Sequence, residues 1–316
     1  MHDEFAKIEW LKTRFELDAE PRGLVVGIGD DAAVFDFGSR PTVITVDTQV
    51  EGVHFRRELI SCRDIGRRAM TAAASDIWAM ASMPSASTIA LNLPPDFSDD
   101  DFRELIDGLA GAARATGARV IGGNLSKGQA LSVTTTVFGL PIARPITRGG
   151  AQPGDCVYVT GTLGSAALGF AILDAERTDL EHAEPFIERW RRPPLNGYAA
   201  KTLARVATAA VDVSDGCLQD LKHLCTASAV GATLLASALP TAPEHATISE
   251  ALGLDPLELA LAGGEDYELL FTAPASSDAE AVATNIGEIT AGNGVDVIDA
   301  EGRPVLVKRS GFRHFS

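Results

Sequence analysis

The chain has 316 residues, 46% hydrophobic and 22% charged, which suits a globular protein of two domains better than one. Its net charge of −16, from 43 acidic and 27 basic residues, argues against a nucleic-acid or anionic-membrane partner, since both need a positive field. The most apolar stretch, Ala69 to Met83, is broken by Ser75 and Asp76 and so excludes a spanning helix.

The start, Met1-His2-Asp3-Glu4, lacks the basic region and apolar core of a signal peptide. Cys62, Cys156, Cys217 and Cys225 show neither CxxC nor metal-ligand spacing and read as free thiols in a reducing cytoplasm.

Glu4 to Phe15 carries apolar groups at Phe5, Ile8, Trp10 and Leu11, a short amphipathic helix. Strand-like runs follow at Leu24–Val26, Ala33–Phe37 and Thr42–Val46, the first ending in Gly27-Ile28-Gly29-Asp30-Asp31. Arg63 to Met83 reads as an alanine-rich helix packed against a sheet, with Asp76 inside it as an exposed, paired or functional carboxylate.

Ile89–Leu93 is a strand ended by Pro94-Pro95. Ser98 caps the next helix, with Asp101 in the capping-box position and Phe102, Leu105, Ile106 and Leu109 at helical spacing. Arg119–Ile121 is a strand entering the turn Gly122-Gly123-Asn124, and Leu131–Leu140 is a threonine-rich strand. Alternating strands and helices make this half α/β or α+β.

Pro141 to Gly154 concentrates Pro, Gly and Arg and marks the boundary between domains 1–143 and 144–316. Beyond it come a strand at Cys156–Thr160, the turn Gly161-Thr162-Leu163-Gly164, and helices over His182–Trp190 and Leu195–Ala207. Strand Ala210–Val213 runs into Asp212-Val213-Ser214-Asp215-Gly216 and a helix from Leu218 to Ala229. Ala232–Ala236 is a strand, Ile248–Leu252 a helix, and Gly263-Gly264-Glu265-Asp266 leads into another strand. Val295–Ile298 and Val305–Val307 are the last strands and close the second domain.

No GxxxxGK[ST], GxSxG, HExxH or protein-kinase set is present. Gly161 to Gly164 suits either an anion at a helix N-terminus or close helix–strand packing. Asp212 to Gly216 resembles part of a calcium loop but has Gly fifth rather than sixth and His223 at position twelve. What remains is a set of carboxylates at strand ends and glycine turns: Asp30, Asp31, Asp47, Asp212, Asp215, Glu265 and Asp266, joined by Asp76 from a helix. Singly, each reads as a turn residue or cap. Together they would repel strongly without cations, so the pattern implies a polymetal site facing nucleotide phosphates.

The motifs GIGDDAAV, VDTQVEGVHF, SDIWAMA, GGNLS, ITRGGAQPGD, VTGTLG, DVSDG, GGEDYELLF and SGFRHF, in this order, resemble the thiamine-monophosphate kinases. These belong to a superfamily with aminoimidazole ribonucleotide synthetase and selenide, water dikinase. The resemblance implies an ATP- and Mg²⁺-dependent phosphorylation of thiamine monophosphate. It also implies an N-terminal α/β domain whose small sheet pairs with its twin in a homodimer, and a C-terminal α+β domain with a mixed sheet.

By position it implies Asp30, Thr45, Asp47, Asp76, Asn124, Asp212 and Asp215 as the Mg²⁺ set. Gly123, Arg148 and Ser214 match ATP contacts; His54, Glu265 and Phe312 match thiamine monophosphate contacts. It assigns the metal to Asp30 rather than Asp31, which is left to cap the turn. No residue need act as a strong base or covalent nucleophile, because the acceptor is already a phosphate oxygen.

Two positions depart from the family pattern. Asn124 stands where an Asp is usual, removing one charge, and Val46 replaces a common hydroxyl, with Thr45 to compensate. They imply a raised Mg²⁺ requirement. The alternatives are a paralogue acting on another phosphorylated acceptor or as an aminoimidazole ribonucleotide synthetase-like ligase, and a degenerate nucleotide-binding protein.

Overall fold

The computed structural model describes residues 23–26, 29–36, 38, 41–308 and 311; the helix expected over Glu4–Phe15 and the candidate Phe312 lie outside them. The first half folds into β1 (Leu24–Val26), β2 (Ala33–Asp36), β3 (Pro41–Val50), β4 (Ser82–Leu93), β5 (Arg119–Lys127) and β6 (Ser132–Pro141), with buried positions alternating most regularly along β6 while β5 is exposed almost throughout. They form one sheet in the order β1-β2-β3-β6-β4-β5, antiparallel except for β4 with β5. That parallel pair needs a crossover, which α2 (Asp99–Thr116) supplies. Its N-cap is the predicted one: Ser98 Oγ accepts the Asp101 N–H at 3.1 Å.

Two elements run differently from the sequence reading. The helix expected to reach Met83 is α1 (Cys62–Ala79), and Ala81, at φ 51°, turns the chain straight into β4. The front of β4 was hidden by Pro84, which lies at a register irregularity. The expected turn at Gly122-Gly123-Asn124 is instead the middle of β5, an edge strand bonded on one side only.

The second half contains β7 (Asp155–Val159), α3 (Ser165–Asp174), α4 (Glu184–Arg191), α5 (Gly197–Val206), β8 (Ala209–Asp212) and α6 (Cys217–Ser228). It continues through β9 (Gly231–Leu235), α7 (His245–Ala251), α8 (Pro256–Ala262), β10 (Leu269–Pro274), β11 (Thr284–Thr290) and β12 (Gly294–Ile298). These strands make a second six-stranded mixed sheet, β12-β9-β11-β7-β10-β8. Residues 305–307 form no strand; the nearest pairing is a single bridge between Ile298 and Pro304.

Small residues explain where α1 can lie. A Cβ on Gly66 would stand 2.2 Å from the Leu105 carbonyl oxygen, and one on Gly108 would stand 1.8 Å from that of Arg63. The backbones of α1 and α2 therefore touch where only glycine fits. Alanines let the rest of α1 pack against β3 and β6 of the first sheet and β8 and β10 of the second. A helix buried all round, rather than along one stripe, is the result.

Candidate active site

Asp212 ends β8, and the chain turns through Ser214–Gly216 into α6. Asp220, in the first turn of that helix, folds back so that its Oδ2 accepts the N–H groups of Ser214, Asp215 and Gly216, each at 3.1 Å. One buried carboxylate thus fixes the loop before any ligand arrives. The Gly263–Glu268 segment runs alongside, with Glu265 N–H donating to the Ser214 carbonyl and Tyr267 N–H to that of Val213, both at 2.8 Å. Gly264 permits this contact, since a Cβ there would lie 2.5 Å from the Ser214 oxygen. Glu265 and Tyr267 both adopt left-handed backbone, φ +69° and +49°, a conformation that costs non-glycine residues on the order of 1–3 kcal/mol and is held by the surrounding contacts.

Against Asp212 stand Asp76 from α1 and Asp31 from the turn before β2. One carboxylate oxygen of each lies within 4.8 Å of the others. Burial pushes all three carboxyls up: Asp31 to about 6, Asp212 to about 7, and Asp76 well above its usual range, with repulsion among them adding to the shift. Thr45 Oγ1 donates to Asp76 Oδ2 at 2.6 Å, and Arg148 pairs with Asp31 through Nε at 2.8 Å. Oδ2 of Asp31 is buried with no hydrogen-bond partner among the described residues. Clustered oxygen ligands, an orphaned buried carboxylate oxygen and raised carboxyl pKa values are the donor set that fits a hard divalent cation.

A cavity of about 430 Å³ opens beside this cluster. Asp47, Asp76, Asp212, Ser214 and Asp215 line it together with His54, Glu265, Phe170, Trp190 and Tyr267. Asp47 is likewise raised, chiefly by burial. His54 Nδ1 accepts the Val50 N–H at 3.1 Å, which leaves the ring proton of neutral His54 on Nε2. Glu265 is not a bare anion: it pairs with Arg68 and accepts from Trp190 Nε1 at 3.1 Å.

The structure thus gathers Asp47, Asp76, Asp212, Asp215, Ser214, His54 and Glu265 on one cavity wall, with Thr45 and Arg148 bracing it from behind. Of the Asp30-Asp31 pair, the one whose oxygen meets those of Asp76 and Asp212 is Asp31. Asp30 accepts the N–H groups of Asp31 at 3.0 Å and Arg148 at 3.1 Å, so it secures the turn while Asp31 joins the cluster.

Gly123 and Asn124 are not brought in. The register Asp47–Thr135–Ile89–Gly123 puts three strand spacings, about 14 Å, between them and Asp47 within one chain. Val46, 63% exposed, lines the same cavity as Asp47, Asp76 and Asp212, from a position between Thr45 and Asp47 on β3. Phe312 lies outside the described residues, although its neighbour Gly311 packs against Gln219 and the Asp215 carbonyl.

The anion at the Gly161–Gly164 turn proves to be internal. Asp266 accepts the N–H groups of Gly164 at 2.6 Å and Ala166 at 3.0 Å, and burial raises its carboxyl to about 7. Sequence reasoning also passed over Asp220 and Arg68. An acid in the first turn after Gly216 was a visible helix-start signal. Arg68 carried the same warning as Asp76, a charge on an alanine-rich helix.

Residues 29–141 match the N-terminal domain of the AIR synthase related proteins and residues 152–300 their C-terminal domain. The chain is similar to the thiamine-monophosphate kinase of Aquifex aeolicus (strain VF5), 34% identical over 314 residues that cover 99% of this chain and 98% of that one. It is 36% identical over 309 residues to the thiamine-monophosphate kinase of Escherichia coli (strain K12), covering 92% of each. A solved structure of AaThiL complexed with AMPPCP and TMP shares the fold with a TM-score of 0.90 at 33% identity, over 99% of this chain and 97% of that one. With both of its sheets and the full order of its motifs accounted for, the chain belongs to the thiamine-monophosphate kinase family of the AIR synthase related proteins.

Proposed function

We propose that the protein transfers the γ-phosphate of ATP to thiamine monophosphate, giving thiamine diphosphate and ADP. The observation that carries this reading is the convergence of Asp31, Asp76 and Asp212 beside a cavity that also presents His54 and Glu265. The names of its relatives, and the nucleotide analogue and TMP in the related complex, support it.

Asp31, Asp76 and Asp212, with Asp47 and Asp215 nearby, are the residues to hold Mg²⁺. Bound Mg²⁺ would supply neutralisation of charge between these carboxylates and the phosphates. Thr45 and Arg148 orient Asp76 and Asp31, Asp220 holds the Ser214 loop, and Nε2 of His54 donates to the acceptor phosphate. Phe170 and Tyr267 supply aromatic faces for the thiamine rings, with Phe312 assigned to the same task. The transfer is in line and needs neither a strong base nor a covalent intermediate.

The same reading takes the enzyme as a cytoplasmic homodimer. Four free cysteines fit a reducing compartment, and no helix among the described residues is long and apolar enough to cross a membrane. Edge strand β5 exposes Val120, Ile121 and Leu125, at 43%, 65% and 60%, a patch suited to a second copy; Gly123 and Asn124 lie on that strand.

The test is incubation with ATP, Mg²⁺ and thiamine monophosphate, with thiamine diphosphate and ADP followed by chromatography. Formation of both supports the reading; ADP formed only with another phosphorylated acceptor, or no ADP at all, overturns it.

A further inference from the structure

Arg68 is the largest charged group of the described core, fully buried on the helix that also carries Asp76. Arg68, Ala72 and Asp76 follow at intervals of four and share one face of α1, the Cα atoms of Arg68 and Asp76 roughly 12 Å apart along the axis. A buried guanidinium is stable only when its donors are used. Here Nε donates to Gln49 Oε1 at 3.2 Å, Nη1 to the Trp190 carbonyl, and Nη2 pairs with Glu265, while the guanidinium lies 5.3 Å from the centre of the Trp190 ring. Trp190 Nε1 donates to the other oxygen of Glu265 at 3.1 Å, and Gln49 in turn hydrogen-bonds Asp47. The chain of contacts Asp47–Gln49–Arg68–Glu265 therefore links two residues that line the same cavity, Asp47 and Glu265.

We propose that Arg68 is the positioning residue of the acceptor side of this cavity, fixing Glu265 against Trp190 and tying that placement to Asp47 through Gln49. The proposal rests on the kinase reading above. Glu265 needs such a brace because its backbone is left-handed and its side chain is 29% exposed, so an unpaired carboxylate would turn to water. Pairing also cancels its charge. The cavity then offers the acceptor a fixed hydrogen-bond acceptor without a net negative charge that would repel the acceptor's phosphate. Glu265 thus acts through placement rather than as a counter-ion to the thiazolium.

The decisive variant is Arg68→Lys, which keeps the charge but cannot reach Gln49, Trp190 and Glu265 together. The expected result is a KM for thiamine monophosphate raised about tenfold, with the KM for ATP within about twofold of wild type. In the double variant with Glu265→Gln, the acceptor KM should be no higher than in Glu265→Gln alone, because the two residues act as one unit. Equal rises in both KM values, or additive effects in the double variant, would mean that Arg68 only staples the fold and would overturn the proposal.

Failure of the kinase reading is separable, because it shows in the wild type as absence of thiamine diphosphate. In that event a crystal structure of Arg68→Lys decides: Glu265 swung away from Trp190 supports the positioning role, and Glu265 unmoved refutes it.

Discussion

Arg148 grips both acids of the Asp30-Asp31 pair, its Nε donating to Asp31 at 2.8 Å and its backbone N–H to Asp30 at 3.1 Å. The side chain of Asp31 is fully buried while Arg148 is 23% exposed, so the arginine is the only guanidinium compensating that carboxylate among its described contacts. Arg148→Ala is expected to destabilise the fold by about 3 kcal/mol, the scale for removing one partner of a buried pair. It should also raise the Asp31 carboxyl further above about 6, weakening cation binding at neutral pH. Urea titrations, with and without Mg²⁺, check both effects; a stability change below about 0.5 kcal/mol would make the pair a surface contact.

Metal-free stability should depend on pH through the acidic cluster. Asp31 and Asp212 have carboxyls at about 6 and about 7 in the fold, against 3.8 when unfolded. The folded state therefore binds more protons between these limits, and the stability contributed by these groups is full below pH 4 and lost as the pH rises through 6 to 7. In EDTA, Asp212→Asn should be more stable than wild type at pH 8, with the gap closing towards pH 5. Mg²⁺ should reverse the order at pH 8 by stabilising wild type alone. Melting curves of the two proteins in a pH series settle it; parallel curves in EDTA would show that Asp212 is already ionised in the empty fold.

Asp220 should matter to nucleotide use without touching it. Asp220→Ala strands three buried N–H groups, at about 1–3 kcal/mol for each group left without a partner, though water entering the space reduces the total. The expected outcome is a lower melting temperature together with a raised KM for ATP, both largely restored in Asp220→Asn, which keeps an acceptor oxygen. If Asn behaves like Ala, the negative charge rather than the acceptor is what the loop requires.

Asn124→Asp tests the role of the edge strand. Its position in β5, about 14 Å from Asp47 in the same chain, means that a restored charge can reach a cation cluster only from a second chain. On the proposed homodimer, Mg²⁺ half-saturation of turnover is expected to fall in Asn124→Asp, and to stay at the wild-type value when Ile121→Lys is added to the β5 patch. A curve that never moves would remove Asn124 from the metal set.

Much of this was legible in residue order, and the limits of legibility were physical. Carboxylates at the ends of apolar runs pointed to the cluster of acids that Asp31, Asp76 and Asp212 form, and Asp76 stood out as an acid on an alanine-rich helix. Which of Asp30 and Asp31 turns inward was not readable. Adjacent residues differ only in direction, and Arg148, more than a hundred positions later, decides between them. The Gly-Gly-Asn run reads as a turn because glycine weakens strands locally, yet pairing with β4 overrides that preference. Arg68 escaped notice because its partners Gln49, Trp190 and Glu265 come from three distant segments.

Helix α1 touches both sheets and presents Asp76 and Arg68 from a single face. It is therefore a ruler. A rise of about 1.5 Å per residue sets the span between the cation cluster and the brace on Glu265, and neither sheet can alter it by shifting alone. Inserting one residue between Arg68 and Asp76 would swing one end of the ruler by about 100° and take its mark off the cavity, whereas a four-residue insertion would keep both marks facing inward but about 6 Å farther apart. The separation of Asp76 from the Arg68–Glu265 pair is thus written in the spacing of two residues on one helix.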